Sequence, residues 1–165
     1  MSEDPSPTKD PQHHLRRLDH DWTDSSIYFL TTNVTHPTAM LATEDCAEIL
    51  VSEWQGAAAR HGWGVGHYVI MPDHVHFFAA PSREAVALSR FMQAWKEWTS
   101  KRICRALHVS APLWQSEFFD HLLRSFESYE EKSRYVLENP VRAGLVERLE
   151  DWPFHGKVGD LHLWD

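Results

Sequence analysis

Two apolar runs, WGVGHYVIM (63–71) and HVHFFAA (74–80), are separated only by Pro72 and Asp73. No other feature constrains the fold as much. Both runs are rich in β-branched and aromatic residues, and a Pro-Asp connection of two residues is a tight turn. Strands joined so closely lie antiparallel and side by side. A lone hairpin is not stable in water, so the sheet needs further strands and a helical cover.

The remaining segments supply both. SIYFLTTNV (26–34) reads as a strand. Residues 43–62 read as a helix: Thr43 caps it, Glu44 and Asp45 fill its first turn, and Cys46, Leu50, Trp54 and Ala57 share a face. Gly62 ends it. Residues 82–107 read as a long helix with the apolar stripe Leu88, Phe91, Met92, Trp95, Thr99 and Ile103. LWQSEFFDHLLR (113–124) holds a fourth strand, and SYEEKSRYVLEN (128–139) reads as a helix stopped by Pro140. This order fits a single antiparallel sheet with helices on one face, a ferredoxin-like α+β layer.

The 165 residues fit one domain, taken as 26–165. Residues 1–25 are polar and charged and carry His13, His14 and His20, which suits a disordered tail. Two distant cysteines, Cys46 and Cys104, imply no disulfide framework. No run approaches the roughly 18 apolar residues of a membrane span. The expectation is a soluble, cytoplasmic protein without a membrane partner.

The formal net charge of −8 argues against a nucleic-acid partner, provided the charge is evenly spread. It is not. Residues 82–109 hold six basic and two acidic groups, a basic island in an acidic chain. Either this is a solvated helix face or it is a contact surface for phosphates.

His74 and His76 stand two apart on a strand, so they share a face with Phe78, while Val75 and Phe77 point the other way. Paired neutral imidazoles can chelate a divalent cation. They also occur as hydrogen-bonded pairs at a sheet edge. A metal site needs a third ligand, and chemistry needs a reacting group nearby.

The segment 126–146 offers both. On a helical wheel, Phe126, Tyr129, Ser133, Val136 and Leu137 fall within about 80° of one direction. Tyr135 lies about 180° from that direction, with Asn139 about 40° from it. Tyr129 is therefore placed as a core tyrosine. Tyr135 is a candidate nucleophile one turn from a metal-capable amide, or else an ordinary surface tyrosine before a routine Asn-Pro helix stop.

Together these segments resemble a known family. MPDHVHFFAAP (71–81) looks like the HUH motif of single-tyrosine transposases, and YVLENPVRAGLV (135–146) looks like the tyrosine helix of their REP-associated branch. The strand YFLTTNV, the segment LWQSEFFDHLLR and DWPF (151–154) fit the same branch, so the resemblance spans about 26–155. It implies a ferredoxin-like, RRM-like fold with the HUH histidines on a central strand and a C-terminal tyrosine helix. It also implies a homodimer or a monomer that cleaves and joins single-stranded or hairpin DNA. Carried over by position, His74, His76 and Asn139 match the metal ligands, for Mg²⁺ or Mn²⁺, and Tyr135 matches the nucleophile. The chain departs from many relatives in its acidity and in Leu137, where an aromatic residue or His is expected.

The chemistry that follows is attack of Tyr135 on phosphorus, giving a 5′-phosphotyrosine and a free 3′-hydroxyl. A 3′-hydroxyl can reverse that step, so strand transfer is possible. Arg90, Lys96, Lys101, Arg102 and Arg105 on the basic helix are candidate phosphate contacts, and Trp98, off the apolar stripe, is a candidate stacking platform for an unpaired base. Two rivals stand beside this reading. One is a non-cutting hairpin DNA- or RNA-binding module built on the same fold. The other is a metal hydrolase that uses water, which the absence of an Asp-His pair after the histidines disfavours.

Overall fold

A computed structural model describes residues 26–36, 38 and 40–161. The expected tail, and with it His13, His14 and His20, lies outside the described residues.

Five strands form one antiparallel sheet in the order β4-β1-β3-β2-β5. These are β1 (Ile27–Asn33), β2 (Trp63–Ile70), β3 (His74–Pro81), β4 (Phe119–Leu123) and β5 (His155–Lys157). The Pro72-Asp73 turn joins β2 to β3, and the Met71 N–H closes it on the His74 carbonyl at 2.8 Å. β3 is thus the middle strand, flanked by β1 and β2.

Helices α1 (Glu44–Gln55) and α3 (Leu88–Leu107) cover one face, with the short α2 (Ala57–His61) between them in sequence. The Thr43 hydroxyl accepts from the Cys46 N–H at the start of α1, and Gly62 ends α2 in the left-handed region at φ 75. The expected single helix over 43–62 is broken at Gly56, which caps both pieces. The long helix also starts later than expected. The backbone of 82–87 instead bonds back to His61 and Gly62, through Val86 and Ser82. All six residues of its expected apolar stripe are buried. They meet Leu30, Val75, Phe77 and Ala79 of the sheet together with Trp54 and Trp63.

The tyrosine helix α4 (Phe126–Leu137) lies on the other face. The Ser125 hydroxyl caps it by accepting from the Ser128 N–H at 3.1 Å. Tyr129 and Val136 pack there with Ile27, Phe29, Val69 and Phe78. The Tyr129 hydroxyl accepts from the His67 N–H at 3.2 Å, and burial pushes its pKa up to about 12. That contact is possible because residue 66 is glycine: a Cβ there would run into the Tyr129 hydroxyl and the Leu161 side chain. Gly66 also sits where the pairing of β2 with β3 shifts register, between Val65 and Tyr68. The shift keeps Val65 and Tyr68 on one face despite their odd spacing.

Pro140 does not simply stop a helix. It is the second residue of a new four-residue turn, α5 (Asn139–Arg142), where its missing N–H costs nothing. β5 is the other element the sequence does not announce; three residues, His-Gly-Lys, carry no alternation to read.

Candidate active site

Alternation along β3 decides which way each side chain faces. Val75, Phe77 and Ala79 enter the core under α1 and α3. His74, His76 and Phe78 face the side occupied by α4. The two imidazole centroids are 4.8 Å apart, with the rings nearly perpendicular at 78°.

Each ring is fixed through its Nδ1. That of His74 lies 2.7 Å from Asp73 Oδ1. A carboxylate only accepts, so Nδ1 carries a proton and donates it to Asp73. That of His76 lies 2.7 Å from Thr31 Oγ1, across the β1–β3 register pair Thr31↔His76. Neither Nε2 has a hydrogen-bond partner among the described residues. His76 is also held neutral. Burial, first, and then the positive charges of His74, Lys132 and Arg142 lower its pKa to about 3. A neutral His76 beside a His74 oriented by Asp73, each with its Nε2 unpartnered among the described residues, is an arrangement that suits a divalent ion.

Tyr135 is 60% exposed and Tyr129 only 1%, as the helical wheel requires. The Tyr135 ring is gripped by two cations. The Arg142 guanidinium lies 3.9 Å from its centroid and Lys132 Nζ 5.5 Å. Lys132 Nζ also stands 5.0 Å from the Phe29 ring, and Phe29 stacks on His76 at 5.4 Å. A continuous line of contacts therefore runs from Tyr135 through Lys132 and Phe29 to His76. Beside it opens a cleft of about 470 Å³, walled by His121 and Leu123 of β4 and by Ser128, Glu131, Lys132 and Tyr135 of α4.

Asn139 enters this region indirectly. Arg142 Nη2 donates to Asn139 Oδ1 at 2.7 Å and to the Tyr135 carbonyl at 2.6 Å, locking α5 to the end of α4. An amide oxygen has two lone pairs, so one remains available to a cation. Among the described residues no group of three His, Cys, Asp or Glu gathers as a metal site.

The basic helix does not join this constellation. α3 covers the opposite face of the sheet, and three of its five candidate cations have internal partners. Lys96 Nζ donates to the carbonyls of Gln115, Ser116 and Glu117. Lys101 pairs with Glu97 at 2.8 Å, and Arg102 with Glu53 at 3.0 Å. Trp98 is 55% exposed, with Lys101 Nζ 5.1 Å from its centroid. Arg90 and Arg105 have no such partner among the described residues.

Sequence reasoning passed over Thr31, Asp73, Lys132, Arg142 and His121. Asp73 is adjacent to His74 and could have been read as its orienting carboxylate. Arg142, seven residues after Tyr135, and Lys132, three before it, lie at spacings that return to its side of a helix. Thr31 and His121 meet the site only through strand pairing and have no local signal.

Comparison with known proteins places the chain in a family. Residues 25–139 match the family described as "Transposase IS200 like". A REP-associated tyrosine transposase of Escherichia coli (strain K12) is 29% identical over 91 residues, 54% of this chain and 52% of its own length. The chain thus aligns with only about half of that relative. A Haemophilus influenzae (strain ATCC 51907 / DSM 11121 / KW20 / Rd) relative is 24% identical over 143 residues, 81% of each chain. The solved structure of a REP-associated tyrosine transposase bound to a REP hairpin superposes with a TM-score of 0.65 at 23% identity, covering 80% of this chain and 76% of that one. Among the described residues, no helix is long and apolar enough to cross a membrane. By its sequence match over most of its length, on the fold those relatives share, this chain belongs to the IS200-like transposase family and is akin to its REP-associated tyrosine transposases.

Proposed function

We propose that the protein is a metal-dependent single-stranded DNA endonuclease and strand transferase, acting at hairpin or palindromic DNA through a 5′-phosphotyrosine intermediate. One observation carries the reading. The His74 and His76 imidazoles, whose Nε2 atoms have no hydrogen-bond partner among the described residues, share a sheet face with an exposed tyrosine, joined to it by the contacts of Phe29 and Lys132. The hairpin substrate is taken from the solved relative, which is bound to one.

His74, His76 and Asn139 are the residues that would hold Mg²⁺ or Mn²⁺. A bound divalent ion supplies Lewis acidity at a non-bridging phosphate oxygen. Asp73 and Thr31 keep the imidazoles oriented, and Asp73 holds a proton on His74 Nδ1. Tyr135 Oη forms a bond to phosphorus while the P–O3′ bond breaks. The phenol gives up its proton, and the departing 3′-oxygen takes one. A phenol of ordinary pKa near 10 is a poor nucleophile until that proton leaves, so proton removal belongs to the step. Because the tyrosine and the histidine pair are linked within one chain, the reading has Tyr135 act on its own chain's site.

The test is a denaturing gel of protein incubated with Mg²⁺ or Mn²⁺ and end-labelled single-stranded hairpins. A covalent protein–DNA band is expected from the wild type, lost in Tyr135→Phe and in His76→Ala. A second reading, a non-cutting hairpin DNA- or RNA-binding module, draws on the Arg142 bond that already engages Asn139 Oδ1. Tight hairpin binding with no covalent band would select it.

A further inference from the structure

Lys132 is the one cation of the α4 face that the fold leaves uncommitted at the nucleophile. Arg142 donates to the Tyr135 carbonyl and to Asn139. Lys132 makes no ion pair or hydrogen bond among the described residues, although Glu130 and Glu131 precede it and the chain is acidic overall. Its stem is half-buried, and its ammonium is held over the Phe29 and Tyr135 rings, where its charge reaches His76. It also lines the 470 Å³ cleft that opens beside Tyr135. A lysine placed only for solubility would extend into water or pair with an adjacent carboxylate. This one is directed between the nucleophile and the histidine pair.

We propose that Lys132 binds the scissile phosphate, donating from Nζ to a non-bridging oxygen as the DNA strand enters between Tyr135 and His76. The inference rests on the nuclease reading above. A phosphate there would lie in reach of the phenol oxygen on one side and the imidazoles on the other. Partial removal from water strengthens an ammonium–phosphate hydrogen bond, and a flexible four-carbon stem can follow the phosphorus as its geometry changes during attack. The competing account is that Lys132 merely packs along the helix, three residues before Tyr135, and supports the helix alone.

The experiment has two readouts. Wild-type cleavage of end-labelled hairpins first maps the scissile position. Covalent-adduct rates at saturating DNA are then compared for wild type, Lys132→Met and Lys132→Arg. The expected result is at least a tenfold loss in Lys132→Met and substantial rescue in Lys132→Arg, with both variants folded by circular dichroism. In a Tyr135→Phe background, Kd is then measured for the same hairpin with a phosphodiester or an uncharged methylphosphonate at the scissile position. The uncharged linkage should weaken binding several-fold more when Lys132 is present than in Lys132→Met. Adduct formation at the wild-type rate in Lys132→Met, or an equal methylphosphonate penalty with and without the lysine, overturns the inference alone. A wild type that forms no adduct on any hairpin overturns the nuclease reading and this inference with it.

Discussion

Beneath α1 and α3 the sheet sends Leu30, Val75, Phe77 and Ala79 into a cluster with Trp54, Phe91 and Trp95. From the same strands, Phe29, His74, His76 and Phe78 face a cluster about half as large and an open cleft. On the first face aromatic rings fill space: Trp54 stacks on Trp95 at 5.8 Å, and Trp63 on Phe91 at 5.3 Å. On the second they position charged and polar groups, with Phe29 placed between His76 and Lys132. The packed face holds the sheet rigid enough for two imidazoles to be aimed from the middle strand. The open face can then stay less tightly packed around the proposed site.

The largest effect is expected from breaking the packed face. Trp95→Ala removes a side chain that stacks on Trp54 and Trp114 and packs on Phe77. It should cost about 3–5 kcal/mol in urea unfolding, a large part of the stability of a domain this size. The loss should occur even though the Trp95 indole N–H is buried without a hydrogen-bond partner among the described residues, because the lost packing outweighs relief of that one unmet donor. A cost under about 1 kcal/mol would mean that the division into a supporting and a working face is wrong.

On the open face, the next effect is a pH dependence. His76 titrates near 3 when folded, because of burial first, and near 6.5 when unfolded. Below pH 6.5 the unfolded chain therefore binds a proton that the native chain refuses, so stability falls as the pH drops toward 3. At about 1.4 kcal/mol per pH unit, the loss reaches on the order of 3 kcal/mol by pH 4 in the metal-free protein. His76→Gln should remove that part of the slope. Parallel wild-type and mutant profiles of melting temperature against pH would show that the imidazole is not shielded as the fold implies.

A smaller effect should come from Gly66→Ala, at the seam where β2 supports α4. The added methyl meets the Tyr129 hydroxyl and Leu161. Overpacking of this kind costs about 1–3 kcal/mol. Since Tyr129 seats α4 on the sheet, adduct formation should drop by more than the change in folded fraction accounts for. A purely proportional drop would separate the seating of α4 from the chemistry of Tyr135.

These elements also show where the sequence is legible. Periodicity alone separates Tyr129 from Tyr135, places His74 and His76 on one face, and finds six of the eight buried residues of α3, missing Ser100 and Cys104. Each of these follows from spacing within one element. What escapes is set by pairing between elements. Thr31 reaches His76 only through the β1–β3 register, and Phe119 reaches the site face only through β4 and β1. The basic run on α3 is legible as charge. Nothing local, however, tells that Arg102 answers Glu53, forty-nine residues away, or that the helix lies across the sheet from the histidines. The break at Gly56 and the turn after Asn139 are backbone decisions that a hydrophobic pattern does not encode.

The finest comparison sets two exposed aromatics against each other. Trp98 is 55% exposed on the α3 side, and Phe119 is 57% exposed on edge strand β4. Phe119 pairs in register with Thr31, which pairs in turn with His76, and its ring meets Phe29 edge-on at 6.2 Å. The sequence points to Trp98 as a stacking platform because it lies off the apolar stripe of the basic helix. Position favours Phe119, one strand away from the strand that bears the histidine pair. Neither ring is buried, so Phe119→Ser and Trp98→Ser should each change stability by no more than about 0.5 kcal/mol. Loss of a base–aromatic stack costs about 1 kcal/mol or somewhat more, and that cost should fall on Phe119→Ser alone when single-stranded DNA binding is measured in a Tyr135→Phe background. If Trp98→Ser instead weakens binding while Phe119→Ser does not, the strand runs over α3, and the two faces exchange the roles assigned to them here.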